Sequence, residues 1–426
     1  MRRGLVVSLM VVALTAAACG NSDSGSGGGD NPPDDDGMQT AVDQPGVSDS
    51  QISVGVVAST TNPLGGNYGT IADGVRAYFE KVNSEGGVFE RDMVVGSERD
   101  DQLGNNQAEV QAMLTQDDVF AIFVATLSFS GAELLADTST PVFGWNINPE
   151  FAGPENFFGE RGSELCFGCP QPVLPYIAQE LGVDKVGTLA YNVPQSAACS
   201  EGVEASFEEF PTAEVAFVDT TLQYGTTDYS ADVTRMKDEG VELVEPCMDF
   251  NGVNALLQEM RRQDYDPTMF LPNSYNHEFI AEFADLYEGQ IVLTAFAPFE
   301  TEDPPPGLDD FLTWMDEIGA APTEPAVAGW VGAQELVEAI LETGPDFTQQ
   351  KVIDAINGFD EFTADGLLPG LIWPEQHTEL NPEQDCSALS EVTDGGFRPH
   401  PDFTEPGKPF VCFPRDMTEL EDPTFQ

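Results

Sequence analysis

The chain has 426 residues and carries 74 acidic against 16 basic side chains, a formal charge of −58 at pH 7. A balance this negative repels phosphate backbones and anionic lipid, which excludes nucleic acid and acidic membrane surfaces as partners. The acids are spread along the whole sequence and form no D-x-D-x-D-G ligand loop, which argues against a calcium store and leaves no metal site to name.

The N-terminus reads as a segment to be removed. Arg2 and Arg3 precede an apolar run from Leu5 to Leu14, too short to span a bilayer, and Ala16-Ala17-Ala18-Cys19 offers small residues to a peptidase. The polar stretch after Cys19 leaves a short uncleaved anchor helix nothing to pack on. Residues 1–18 therefore resemble a bacterial lipoprotein signal peptide. The resemblance implies a diacylglycerol thioether at Cys19, membrane attachment through that lipid, and an extracytoplasmic location. The 426 residues less the first 18 leave 408, enough for two ordinary domains or one two-lobed domain. Arg2 and Arg3 leave with that segment, so 14 basic face 74 acidic side chains, a balance of −60.

Residues 19–48 are rich in Gly, Ser, Asp and Pro and cannot bury enough apolar surface to order themselves, so they read as a tether. From Gln51 short β-branched runs alternate with stretches of helical period. Ile52 to Val57 reads as a buried strand, and Ile71, Val75, Tyr78, Phe79 and Val82 lie along one face of a helix. Strands at 93–95, 119–124 and 141–145 alternate with helices at 107–114 and 131–137. After the Gly/Pro-rich stretch 166–172 the pattern restarts. A helix ends at Leu181, then strands at 185–191, 214–218, 241–244, 269–271 and 291–295 alternate with helices at 201–207, 230–239, 253–262 and 278–286. Asp303-Pro304-Pro305-Pro306 interrupts, helices follow at 326–343 and 350–356, and the remainder reads as loops with short strands. This predicts an α/β protein of two doubly wound parallel-sheet lobes. Lobe 1 is expected over 49–172 plus about 297–366, lobe 2 over 173–296 plus about 367–415, with 416–426 as a tail.

Beyond Cys19 there are six cysteines: Cys166, Cys169, Cys199, Cys247, Cys386 and Cys412. An even number outside the cytoplasm indicates disulfides, with fifteen possible pairings. Cys386 with Cys412 closes a C-terminal loop and Cys199 with Cys247 follow successive strands, which leaves Cys166 and Cys169 as a local loop. A thioredoxin-type site is the alternative for this C-x-x-C, but nothing nearby reads as that fold.

Several stretches then match one family in order and spacing. They are Ile52-Ser53-Val54-Gly55, Pro63-Leu64-Gly65-Gly66, Asn83-Ser84-Glu85-Gly86-Gly87-Val88 with Arg91, Asp100-Asp101, Asn106-Gln107-Ala108 and Asp228-Tyr229-Ser230-Ala231. From about residue 51 to about 360 the chain resembles the type 1 periplasmic binding proteins that serve ABC transporters of branched-chain amino acids and related small polar solutes. The resemblance implies two lobes joined by a three-strand hinge, a ligand held between them, an ABC permease as partner, and a monomer without cofactor. The cleft lies where strand carboxyl ends and helix N-termini meet.

In relatives that bind amino acids, hydroxyls and main-chain N–H groups of lobe 1 hold the ligand carboxylate, and acidic and aromatic groups of lobe 2 hold the ammonium. Carried onto this sequence, the carboxylate falls to Ser128 and Ser130 in Thr126-Leu127-Ser128-Phe129-Ser130-Gly131. Plain helix capping is the competing role for these serines. Asn146 and Asn148 occupy the second loop, where small or hydroxylated residues are usual, which points to a ligand other than leucine. Tyr191, Asp249 and Tyr275 follow lobe-2 strands. Asp249 is placed against an ammonium and the two tyrosines over an apolar part of the ligand, with helix capping or the cleft mouth as competing roles. Asn62 and Tyr68 are placed near the entrance, and Trp330 in the core. Catalysis has no motif: His277, His377 and His400 are the only histidines, and no H-E-x-x-H, G-x-S-x-G, P-loop or G-x-G-x-x-G appears. A membrane-linked sensor without import and an extracytoplasmic hydrolase working through paired carboxylates remain the alternatives. Neighbouring permease genes would test the first and substrate turnover the second.

Overall fold

A computed structural model describes residues 42–62, 66–162, 166–272, 274–371, 377, 384–420 and 422–426, all within one compact unit. The expected signal segment, Cys19, most of the tether, Pro63-Leu64-Gly65 and Asn273 lie outside the described residues.

The first half alternates strand and helix: β1 (Gln51–Ala58), α1 (Ile71–Ser84), β2 (Asp92–Asp100), α2 (Asn106–Gln116), β3 (Ile122–Ala125), α3 (Ala132–Ala136), β4 (Val142–Gly144) and β5 (Phe157–Gly159). The strands form a parallel sheet in the order β2-β1-β3-β4-β5. β1 is central, and its Ile52, Val54, Val56 and Val57 are all buried, as befits a strand covered on both faces. A second lobe follows with α4 (Val173–Leu181), β6 (Lys185–Tyr191), α5 (Pro194–Glu209), β7 (Glu214–Leu222), α6 (Ser230–Glu239), β8 (Leu243–Cys247) and α7 (Phe250–Arg262). It continues through β9 (Thr268–Leu271), the short α8 (His277–Glu282) and α9 (Ala284–Tyr287), and β10 (Ile291–Thr294). The chain then returns to lobe 1 with α10 (Pro306–Glu317), α11 (Glu324–Thr343) and α12 (Gln349–Ile356) before β11 (Gln384–Thr393), β12 (Gly396–Pro399), β13 (Phe410–Pro414) and β14 (Thr424–Phe425) complete lobe 2. Ala297 N donates to Leu367 O at 2.9 Å, which ties two of the crossings between lobes together.

α11 is apolar around most of its circumference and buried along nearly its whole length, with Trp330 edge-on to Tyr78 and Phe311. It crosses α1 at backbone contact. A Cβ on Gly74 would overlap the Ala326 carbonyl oxygen, and one on Gly329 would overlap that of Ile71, so glycine is what permits the crossing.

Four features differ from the sequence expectation. Pro304-Pro305-Pro306 is not only a break: Pro306 occupies the first turn of α10, where its missing N–H has no partner to lose. β5 was hidden by its length of three residues between Gly/Pro-rich segments. The lobe-2 sheet is mixed, because β11 runs antiparallel to β10 and β13 and β14 extend that edge. Residues expected as a tail thus contribute β14. The ordered domain also starts before residue 48: Gly46 N donates to Asp118 Oδ1 at 2.8 Å, and Val47 bridges Ile52.

The three disulfides are Cys166–Cys169, Cys199–Cys247 and Cys386–Cys412, as the spacing argument favoured. The second pins α5 to the end of β8, and the third joins facing residues of β11 and β13.

Candidate interlobe binding cleft

A cavity of about 1020 Å³ opens between the lobes at the carboxyl ends of their parallel strands. From lobe 1 its wall takes Tyr68 after β1, Leu127 after β3, Trp145 and Ile147 after β4, and Glu160 and Arg161 after β5. Tyr68 stacks on Trp145 with ring centroids 5.0 Å apart. Trp145 leaves its indole N–H without an acceptor among the described residues. Behind the stack, Arg161 Nη2 donates to Glu324 Oε1 at 2.6 Å, at the first residue of α11, where a carboxylate also meets the positive helix end. Glu160 accepts from Asn146 N at 3.0 Å through Oε2. Burial pushes its carboxyl up to about 7 against the pull of the Arg161 charge.

From lobe 2 the wall takes Tyr191, Tyr224, Asp249, Phe250 and Tyr275. Asp249 caps α7: its Oδ1 accepts from Gly252 N at 2.8 Å. The same carboxylate accepts from the Tyr224 hydroxyl at 2.8 Å and the Tyr191 hydroxyl at 3.3 Å, which fixes the two rings 5.0 Å apart at the mouth. Tyr224 leaves about half its surface exposed there, at 49%. The Tyr275 hydroxyl donates to Glu300 Oε2 and accepts from Phe299 N, each at 2.7 Å, so it offers the cleft a ring face. The two walls feel each other. Burial pushes the Tyr68 phenol up to about 12, and the charges of Glu324 and of Asp249, in the opposite lobe, add to the rise.

Of the residues singled out from sequence, Tyr191, Asp249 and Tyr275 line this cavity, as does Tyr68. Ser128, Ser130, Asn146 and Asn148 do not, and the side chains of the last three are engaged in hydrogen bonds elsewhere. Ser128 and Ser130 are exposed; Ser130 Oγ accepts from Gln107 N in the first turn of α2. Asn146 Nδ2 donates to Gly162 O at 2.7 Å, and Asn148 Nδ2 to Thr126 O at 2.8 Å. The hydroxyls nearest the expected carboxylate cradle are spent on a buried acid: Thr126 Oγ1 and Ser59 Oγ donate to Asp101 at 2.6 and 2.7 Å. Sequence reasoning passed over Glu160, Arg161, Trp145, Tyr224 and Glu324 as site residues. The scarcity of Lys and Arg was the available signal, because an arginine directly after the buried Phe157-Phe158-Gly159 has few reasons to be there.

Cys199, Cys247 and Glu245 form the one metal-like grouping among the described residues. Both sulfurs are joined in a disulfide, so a single carboxylate remains and no metal is held.

The comparisons agree with this architecture. No curated protein matches the chain. Solved structures that share the fold include the following three. The fatty acid ABC transporter substrate-binding protein from Thermomonospora curvata is 18% identical over 88% of this chain and 96% of its own, with a TM-score of 0.68. The branched-chain amino acid transporter substrate-binding protein from Streptococcus pneumoniae, in complex with isoleucine, is 14% identical over 82% and 98%, with a TM-score of 0.67. A branched-chain amino acid ABC transporter protein from Thermus thermophilus with bound valine is 18% identical over 82% and 95%, with a TM-score of 0.65. The family described as "Periplasmic binding protein" matches residues 51–396, and the chain belongs to it.

Proposed function

We propose that this protein is a lipid-anchored extracytoplasmic receptor that captures a small solute between its lobes and delivers it to an ABC permease. The observation that carries the reading is the cleft between the lobes, the opening of a cavity of about 1020 Å³, into which groups of both lobes converge at strand carboxyl ends. A ligand there touches both walls only when the lobes are closed, so it favours closure by the difference in its affinities for the two states. Among the described residues no helix is long and apolar enough to cross a membrane, which suits attachment through lipid at Cys19.

The wall chemistry narrows the solute. The expected lobe-1 hydroxyl cradle for a carboxylate is replaced by Leu127, Ile147 and the Tyr68–Trp145 stack, while seven lining acids, Glu160, Glu245, Asp249, Glu278, Glu282, Glu324 and Asp385, face Arg161 and Arg415. An apolar or aromatic body carrying a positive charge fits such walls better than a simple anion. The test is a thermal-shift and calorimetric panel of amino acids, organic amines, polyamines, amides and fatty acids on the mature domain. Stabilisation by one class with the compound recovered unchanged supports the reading; no stabilisation by any class, or a chemically altered compound, overturns it. Asp249→Asn keeps the helix cap and removes the charge, so an ammonium-bearing ligand should bind roughly tenfold more weakly or worse. Asp249→Ala should in addition cost the fold about 1 kcal/mol.

A further inference from the structure

The cavity does not end at the cleft. It continues into lobe 2 beneath α5, whose Ser196, Cys199, Val203 and Ser206, three or four residues apart, face the sheet across an open space. The sheet side of this annex is made by Glu245 and Cys247 of β8, Phe270 of β9, Leu293 of β10 and Asp385 of β11, with Arg415 beyond β13. Most of its polar groups are already committed. Ser196 Oγ donates to Cys247 O, and Ser206 Oγ to Gly202 O. Arg415 Nη1 pairs with Asp385 Oδ2 at 3.1 Å.

Glu245 is the exception. Among the described residues its carboxyl has one contact in hydrogen-bonding range, to Cys199 Sγ at 3.7 Å, and that sulfur, bonded to Cys247, has no hydrogen to donate. Burial alone pushes this carboxyl up to about 8, with no charged neighbour contributing. A partly exposed carboxyl deep in the annex with unused acceptor capacity is a ready partner for a proton or a cation. An anion entering the annex would meet both Glu245 and Asp385. A cation would meet two carboxyls and one arginine that is already paired.

We propose that the annex is a second subsite, which receives the ammonium or amidinium end of an elongated ligand with Glu245 as its counter-ion. This rests on the receptor reading above and adds a chemical class to it: an organic cation long enough to run from the Tyr68–Trp145 stack to beneath α5. The cation replaces the Glu245 proton. Affinity for it therefore rises with pH towards about 8, and about one proton is released per molecule bound near neutrality. Of the groups facing Glu245, the α5 cysteine is in a disulfide, while burial also raises the Asp385 carboxyl against the pull of Arg415, so the release assigned to Glu245 is the part that disappears in Glu245→Gln.

Octylamine, octanol and octanoate share one body and differ in the end group, so calorimetry with the mature, disulfide-bonded protein tests the assignment. The amine should bind at least about tenfold more tightly than the alcohol, with octanoate weakest, and Glu245→Gln should abolish the preference for the amine while leaving octanol unchanged. Titration of the unaltered protein in two buffers of different ionisation heat counts the released protons and needs no variant. Preference for octanoate, an amine affinity untouched by Glu245→Gln, or absent proton release would each overturn the annex while leaving the receptor reading intact. Failure of every solute in both panels would remove both.

Discussion

The two lobes share an alternation of strand and helix yet hold together by different means. Lobe 1 contains no cysteine in its described elements and relies on close approach, with α11 buried against α1 at the Gly74 and Gly329 crossing. In lobe 2 the cavity runs beneath α5, and at that place the Cys199–Cys247 disulfide ties the helix back to β8. A cavity lined by polar groups removes dispersion contacts and leaves carboxyls poorly solvated. A covalent link tolerates that loss because it acts mainly on the unfolded chain.

The sharpest way to break this contrast is to remove the disulfide. Closing a loop across a sequence separation of 48 residues should stabilise the fold by about 4 kcal/mol, so the pair Cys199→Ala and Cys247→Ala should cost roughly 2 to 5 kcal/mol. The loss should be local. Hydrogen exchange should accelerate in β6, β8 and α5 while β1 and β3 keep their protection. Equal acceleration in both lobes would mean that they unfold as one unit, and the contrast would fail. The matching test of lobe 1 is Gly74→Val, which drives a side chain into the Ala326 carbonyl and should cost about 3 kcal/mol, with exchange accelerating in α1, α11 and β1 instead.

The same contrast decides what was legible in the sequence. Buried β-branched runs such as Ile52 to Val57 and helix faces such as Ile71, Val75 and Tyr78 announce themselves through period, so the order of elements through β10, the short β5 excepted, could be read directly. Edge structure could not: β11 to β14 pair antiparallel across loops whose closure depends on distant partners, and only the Cys386–Cys412 spacing hinted at them. Within the site, Asp249 and the tyrosines were legible because polar and aromatic residues just after a strand fall at the cleft in this architecture. Ser128 and Ser130 misled for a physical reason. A hydroxyl after a strand caps a helix, binds a ligand or feeds a buried acid with the same local sequence, and the Asp101 network that takes up Thr126 and Ser59 is assembled from three separate loops. Glu245 was passed over because the strand was read as ending at Val244, which left the acid in a loop when β8 in fact carries it to Cys247 and under α5.

A smaller effect separates the lobes by pH. Glu160 in lobe 1 and Glu245 in lobe 2 both have carboxyls raised above the ordinary value, to about 7 and about 8. In the window between about 4.5 and those values the folded state holds the extra proton, so the stabilisation is full at the acidic end and lost as pH rises through 7 and 8. Each pH unit is worth about 1.4 kcal/mol at most, which puts the Glu160 share at no more than roughly 3 kcal/mol. Glu160→Gln should flatten the pH dependence of melting between about 5 and 7, and Glu245→Gln should flatten it up to about 8. Identical profiles for both variants and the parent protein would show that neither carboxyl is buried enough to matter.

The smallest expected effect is the one that should not distinguish the lobes at all. Sixteen basic side chains face 74 acidic ones, and the surface pairs they form, such as Lys351 with Asp346 and Lys408 with Glu405, each contribute little. What remains is repulsion spread along the whole chain, screened over about 10 Å at 0.1 M salt and about 3 Å at 1 M. Lowering salt between those limits should destabilise the domain by roughly 1 kcal/mol, or about 2 to 4 °C for lobes of this size. Because the acids are distributed and not confined to one half, hydrogen exchange should accelerate by a similar factor in β1 and in β6. A salt response confined to lobe 2 would place the repulsion in the annex and its acids rather than in the overall charge. A flat response in both would leave the −58 balance without a measurable role in stability.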